Sequence, residues 1–304
     1  MGQTHATPTP GSALRGLLAG PVFAAPGAFN GLVARAAADA GFRACYVSGG
    51  ATSAAAGVPD IGVLTLDRFS QMVREVALGG QGKAGERLPV IADADTGFGE
   101  EEMVRRTVLE YARAGAAALH VEDQVFPKRC GHLEGKTLIP TGHMASKVAW
   151  AKKAALDSVD PEFVVCARTD AAGVEGMGAA IERAQAYADA GAEMIFPEGL
   201  RSEDEFGRFA EGVRARGRRV WLLANMTEFG KTPMIGLERF GDLGYDVVIY
   251  PVTTLRIAMG AVTRALATLR EQGSAEGLLD EMQSRSALYE LLGYEPGTPW
   301  EMPG

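Results

Sequence analysis

The sequence is short of cysteine, of positive charge and of long apolar runs, and each shortage excludes something. Cysteine occurs 3 times in 304 residues, as Cys45, Cys130 and Cys166. An odd, sparse set does not make a disulfide scaffold and fits a reduced compartment. Lys and Arg number 30 against 38 Asp and Glu, a net charge of −8. Nucleic acid and anionic membrane surfaces are therefore not expected partners, and an anionic ligand must be held by a local group of cations. No apolar run approaches the roughly 20 residues that cross a bilayer. The opening MGQTHATPTPGS has neither the basic nor the apolar stretch of a secretory leader. The expectation is a cytoplasmic protein whose residues 1–10 are a disordered tail.

Small and apolar residues are abundant: 47% of the chain is hydrophobic and 39 residues are Gly, the profile of a folded protein with many tight turns. The length suits two domains or one α/β barrel of roughly 250 residues. Eight short apolar runs read as strands, at 21–25, 44–48, 89–93, 118–122, 163–168, 194–198, 220–225 and 246–251. Amphipathic stretches lie between them, such as EEMVRRTVLEYARAG and MGAAIERAQAYADAG, closing with the Ala-Gly expected where a helix hands over to a strand. An open doubly wound sheet and a closed (β/α)8 barrel both have this alternation. Reactive or small groups end nearly every strand: SGG, DAD, ED, RTD, E and N. A barrel would gather them at one mouth, so the expected fold is a TIM-type barrel over 11–294, with a short tail at 295–304. Residues 123–143, rich in Gly, Pro and charge, are too long for a simple connection and read as a catalytic lid. Two helices are expected in 256–293.

Asp93 and Asp95, two apart at a strand end, leave the same face of an extended chain and offer hard oxygens to Mg²⁺; strand-terminal acids that merely form turns give the same pattern. Glu122 ends the next strand. Cys45 and Cys166 sit in apolar strands and read as core. Cys130 stands in KRCGH among Lys128, Arg129 and His132. Cations favour its thiolate, while a thiol near its ordinary pKa of about 8.5 can protonate a carbanion. A structural zinc site would need a second ligand cluster, and none follows. Arg168 either pairs with Asp170 or clamps a carboxylate with its planar fork. Ser48, Gly49 and Gly50 offer backbone N–H groups to an anion. Tyr46, on the face of Ser48, points into the mouth or fills core, and Arg256 and Arg285 lie in the C-terminal helices.

YVSGG, DADTGFG, VEDQVFPKRCGHLEGK, ARTDA, MIFPEGL, LANMTEFGKTP, YPVTTLR and MQSRSALYE, in this order, resemble the isocitrate lyase and phosphoenolpyruvate mutase superfamily, and within it the 2-methylisocitrate lyases. The resemblance runs from about residue 11 to 294. It implies a barrel whose last helix is exchanged between subunits, commonly in a homotetramer. It also implies Mg²⁺ at Asp93 and Asp95, with Asp60 and Glu122 as outer-shell partners. Substrate contacts are implied for Ser48, Gly49, Gly50, Gly131, Arg168, Glu198, Asn225, Met226, Thr227, Arg256 and Arg285. The implied reaction cleaves a tricarboxylate, 2-methylisocitrate, to pyruvate and succinate, with Cys130 as acid and Tyr46 or a water on the metal as base. The alternatives are lyases for isocitrate, dimethylmalate or another alkylmalate, an oxaloacetate hydrolase, and a non-catalytic dicarboxylate-binding barrel. Isocitrate lyases are longer and carry a Ser-Pro-Ser segment where this chain has NMTEFGKTP.

Overall fold

In the computed structural model, which describes residues 8–82, 85–129, 131, 133–217 and 219–300, all eight expected strands form. They are β1 (Phe23–Pro26), β2 (Cys45–Val47), β3 (Val90–Asp93), β4 (Ala116–Glu122), β5 (Val164–Thr169), β6 (Met194–Pro197), β7 (Trp221–Asn225) and β8 (Val247–Tyr250). Neighbours pair in parallel in the order β1-β8-β7-β6-β5-β4-β3-β2. A parallel bridge between Gly27 and Tyr46 joins the two ends. Strand order that follows the chain around a ring is a (β/α)8 barrel; a doubly wound sheet would reverse at a switch point.

The helices are α1 (Pro10–Leu18), α2 (Gly31–Asp39), α3 (Gly49–Ala55), α4 (Leu66–Gly79), α5 (Glu101–Ala114), α6 (Thr141–Leu156), α7 (Met177–Asp189), α8 (Glu203–Arg214), α9 (Leu237–Asp242), α10 (Thr253–Gln272) and α11 (Arg285–Leu292). Helix α1 starts within the stretch read as a tail, and residues 1–7 lie outside the described residues. Thr9 caps α1, its hydroxyl accepting from Ser12 N–H and donating to Asp160. The expected Ala-Gly stop of α5 is Gly115, left-handed at φ 95°.

Alternation along each strand divides the core into two layers. Phe23, Ile91, Val164, Cys166, Met194, Phe196, Leu223 and Ile249 fill the barrel, and Leu14 and Leu18 of α1 belong to the same cluster. Val47, Val90, Ala92, Val121, Val165, Ile195, Leu222 and Val248 face outward onto the helices, together with Cys45. Cys45 and Cys166 are thus buried and unpaired, as expected of core thiols. Burial pushes the Cys45 thiol up to about 12, which removes it from thiolate chemistry. The exceptions to this layering are α10, none of whose 20 residues is buried, and α11, which likewise buries none.

Candidate active site

A cavity of about 360 Å³ opens where the strands end. Most of the residues singled out in the sequence line it: Tyr46, Ser48 and Gly50 from β2 and α3, Asp60, Asp93, Arg168, Glu198, Asn225, Thr227, Arg256 and, from the long loop, Gly131. The parallel register explains the convergence, since Tyr46, Ser48, Asp93, Arg168, Glu198, Asn225 and Thr227 stand at or just past the carboxyl ends of their strands, and Asp60, Gly131 and Arg256 come in from the segments that follow.

Of its two readings, the pairing of Arg168 with Asp170 is the one observed. Its Nε and Nη2 donate to the two oxygens of Asp170 at 2.9 and 3.2 Å, which fixes the plane of the guanidinium. Nη1 is left toward Glu122 at 3.1 Å and Glu198 at 3.6 Å, within the mouth. Asp170 is anchored in turn: its N–H donates to Asp123 Oδ1 at 3.0 Å, and Asp123 Oδ2 accepts from Thr169 and Tyr187, each at 2.8 Å. Burial pushes Asp170 up, but Arg168 and Lys136 outweigh it and hold its carboxyl below the ordinary carboxylate range.

The geometry of the two aspartates differs from the expectation. Asp93 closes β3, but Asp95 lies beyond the strand with a left-handed φ of 46°. Extended-chain periodicity therefore does not align them. A turn does so instead, in which Asp95 N–H donates to Asp93 Oδ1 at 2.9 Å. Gly49 sits between the carboxylates: its N–H donates to Asp93 Oδ2 at 3.0 Å, and a Cβ there would lie 2.7 Å from Asp93 Oδ2 and 3.1 Å from Asp95 Oδ1. This N–H, expected to hold substrate, is committed to Asp93. Asp95 borders a second, neighbouring cavity rather than the one lined by Asp93.

Lys128, from the long loop and only 3% exposed, places its ammonium 2.5 Å from Asp60 Oδ1 and 2.7 Å from Asp95 Oδ1. Burial opposes its charge, but Glu122, Asp95, Asp93 and Asp60 outweigh burial and raise its pKa well above the ordinary value. Desolvation pushes Asp95 up to about 6 and Glu122 well above the usual carboxylate range. Neither oxygen of Glu122 receives a hydrogen bond among the described residues. Six carboxylates, those of Asp60, Asp93, Asp95, Glu122, Asp170 and Glu198, thus face the two cations Lys128 and Arg168, an excess of hard oxygen donors that suits a divalent ion, with the lysine ammonium already seated between Asp60 and Asp95. Among the described residues only Glu100, Glu101 and His143 offer three ligand atoms within 4.8 Å of one another. That group is outside the cavity, and His143 is already bonded to Glu100 at 2.6 Å. An ion at the mouth would accordingly take carboxylates from Asp93 and Asp95 and leave its other positions to water or substrate.

The long loop lies over the mouth. Lys136 Nζ bonds the Gly131 carbonyl and Asp170 Oδ1, the latter at 2.7 Å. Gln124 exchanges two hydrogen bonds of 2.9 Å with the Arg129 backbone. Gly131 is pressed so close to the site that a Cβ there would lie 2.3 Å from Glu198 Cγ and 2.4 Å from Arg168 Nη2. Cys130 and His132 lie outside the described residues.

Two expected contacts are elsewhere. Met226 is buried in the outer core, its sulfur accepting from Ile235 N–H at 3.1 Å. Arg285, the first residue of α11, is exposed and away from this cavity. Conversely, His120 escaped notice although it stands two residues before Glu122 on β4 and so on the same strand face. Its Nε2 is 2.7 Å from the Tyr46 hydroxyl, the two rings stack at 5.8 Å, and Nδ1 is 3.7 Å from Asp93 Oδ1. Burial lowers His120 to about 4 and raises Tyr46 well above its usual value, so both are neutral.

Residues 14–270 match the family model of phosphoenolpyruvate phosphomutase. The chain belongs to that family. The phosphoenolpyruvate phosphomutase fold is repeated in the solved structure of a 2,3-dimethylmalate lyase, described as a member of the PEP mutase/isocitrate lyase superfamily. It is 35% identical with a TM-score of 0.84, covering 95% of this chain and 93% of that one. A phosphonopyruvate hydrolase solved with oxalate and Mg²⁺ is 32% identical with a TM-score of 0.80, over 94% and 95% of the two chains. In sequence, the probable 2-methylisocitrate lyase 1 of Corynebacterium glutamicum is 52% identical over 284 residues, 93% of this chain and 89% of that protein.

Proposed function

We propose that this chain is a Mg²⁺-dependent carbon–carbon lyase that cleaves 2-methylisocitrate to pyruvate and succinate, acting as a cytoplasmic homotetramer in the methylcitrate cycle of propionate catabolism. The observation that carries the reading is the 52% identity, over 93% of the chain, to a protein named for that activity. Asp93 and Asp95 would hold the ion, with Asp60 and Glu122 outside them; when bound, it supplies Lewis-acid polarisation of the C2 hydroxyl and its neighbouring carboxylate.

Arg168, immobilised by Asp170, binds the carboxylate of the pyruvoyl end with a guanidinium that needs no reorientation. Asn225 Nδ2, 3.1 Å from Glu198 Oε2, and Thr227 orient the rest of the substrate from the opposite strands. Arg256 lies at the rim, held by the Glu228 carbonyl at 2.6 Å, and supplies a further positive charge. Tyr46 takes the C2 hydroxyl proton as it gives its own to His120 Nε2, which places the resulting imidazolium beside Asp93. Cleavage leaves an electron pair on the carbon that becomes part of succinate, and the Cys130 thiol protonates it, the S–H bond breaking as the C–H bond forms. The chain neighbour Gly131 already lines the cavity, and a loop closed by Lys128 and Lys136 keeps competing water away.

Helix α10 is the eighth helix of the barrel, and its unburied Ile257, Met259, Val262, Leu266 and Leu269 suit exchange with a neighbouring subunit. Arg285 would then serve a neighbour's site. Turnover of 2-methylisocitrate, isocitrate, 2,3-dimethylmalate and oxaloacetate, each followed by chromatographic identification of its own products (pyruvate, glyoxylate, or oxalate with acetate), tests the reading. The highest kcat/KM is expected for 2-methylisocitrate, and a preference for any of the others, or no turnover at all, overturns it.

A further inference from the structure

A second cavity, of about 690 Å³, lies behind the first limb of the long loop, between that limb and helices α4, α5 and α6. Its walls are largely aliphatic and aromatic, with Leu64, Phe98, Met103, Val125 and Ile139 among them. Asp67, Asp95, Glu100, Arg106 and Lys147 also border it, and of these Lys147 is the one without a charged partner among the described residues. Lys147 of α6 is only 4% exposed, and its ammonium has a single acceptor, the Thr96 carbonyl at 3.2 Å. The acids around the cavity are engaged elsewhere: Asp95 with Lys128 at 2.7 Å, Glu100 with His143 at 2.6 Å and Asp67 with Arg106 at 3.8 Å. No carboxylate of the described residues comes within ion-pair distance of Lys147. An ammonium has three donors, and leaving donors unmet in a buried place is costly. Burial also lowers the pKa of this amine, outweighing the opposite pull of Glu100 and Glu101, neither of which is in ion-pair contact with it.

We infer that this cavity is a binding site for an aliphatic monocarboxylate, whose carboxylate completes the coordination of the Lys147 ammonium and whose chain lies along the apolar walls. The volume falls within the range of roughly 300–1,000 Å³ of small-molecule sites. Such a ligand would touch Val125 without entering the cavity lined by Arg168, although Asp95, one of the two aspartates proposed to hold the ion, borders this cavity.

Octanoate, octanol and octylamine are three probes of one length and different head groups. Isothermal titration of the intact Mg²⁺-loaded protein should give one site for octanoate with a Kd below about 1 mM, with the alcohol and the amine at least about tenfold weaker. Lys147→Met should lose about tenfold of the octanoate affinity and none of the alcohol's, and Met103→Trp, which fills the cavity, should abolish binding of all three. Because the head-group series needs no substitution, it holds even if a variant misfolds. Equal binding of the acid and the amine, no binding of octanoate, or undiminished binding by folded Lys147→Met would each overturn the inference.

Discussion

The position of one guanidinium depends on one aspartate. Asp170 holds Arg168 by two hydrogen bonds and is held by Asp123, so Asp170→Asn should leave the fold intact but release the clamp. Loss of a partner from a buried ion pair costs about 3–5 kcal/mol, and chemical denaturation should find a loss of that order with kcat/KM lowered by at least about tenfold. The pH dependence follows from the sign of the shift. Asp170 is held below its ordinary value, so its stabilisation is complete above the unfolded carboxylate pKa of about 3.9 and is lost as pH falls through the folded one. Denaturation midpoints taken from pH 6 down to 3 should therefore fall more steeply for the natural protein than for Asp170→Asn; parallel curves would show that Asp170 carries no such linkage.

His120 also belongs at this scale. Neutral and within 2.7 Å of Tyr46, it is the group to which the phenol can give its proton. His120→Phe and His120→Gln should both lower kcat much more than they raise KM, because the Gln amide can accept a hydrogen bond but not a proton. Near-natural kcat in His120→Gln would leave His120 a positioning role only and exclude the proton-accepting one. Glu122 is legible because it ends its strand; His120, two residues earlier on the same face, is not, since a lone histidine in an apolar run reads as core until its partners are seen.

Among the elements, strands and helices were legible because apolar runs of four to six residues alternate with amphipathic stretches and the turns carry glycine. Caps moved the boundaries by a few residues, as at α1, where Thr9 starts the helix inside a segment that composition alone assigns to a tail. What the pattern could not give was a conformation outside the regular elements. Asp95 adopts φ 46° in a turn, so the two-residue spacing is real but its extended geometry is not. The long loop was recognised by its length, while its fastening by Lys128 and Lys136 depends on contacts with Asp60, Asp95 and Asp170 that are remote in sequence. Lys136→Met should free the Gly131 carbonyl and one side of Asp170. Hydrogen exchange across 131–139 should quicken severalfold and KM should rise; an unchanged exchange rate would mean that Lys136 does not hold the loop.

The whole molecule has two elements, α10 and α11, that a single barrel does not explain. Helix α10 carries Ile257, Met259, Val262, Leu266 and Leu269 exposed, and none of its residues is buried. Such surface is normally covered by a partner. Leu266→Glu should shift the protein to smaller species in sedimentation and lower its thermal stability, and an unchanged sedimentation coefficient would argue against helix exchange. The net charge of −8 is no obstacle to an anionic substrate, because Arg168 and Arg256 are gathered in the one cavity where the strands end.

The central claim is that a thiol of the long loop finishes a reaction begun at the strand ends. Its most direct measurement is pyruvate release from 2-methylisocitrate by the natural protein and by Cys130→Ser, each with Mg²⁺ and with chelator, alongside calorimetric binding of the substrate. Turnover by the natural protein only with Mg²⁺, and a loss of about 10²- to 10⁴-fold in kcat for Cys130→Ser with binding retained, is the predicted result. Undiminished turnover by Cys130→Ser, or full activity in chelator, would contradict it.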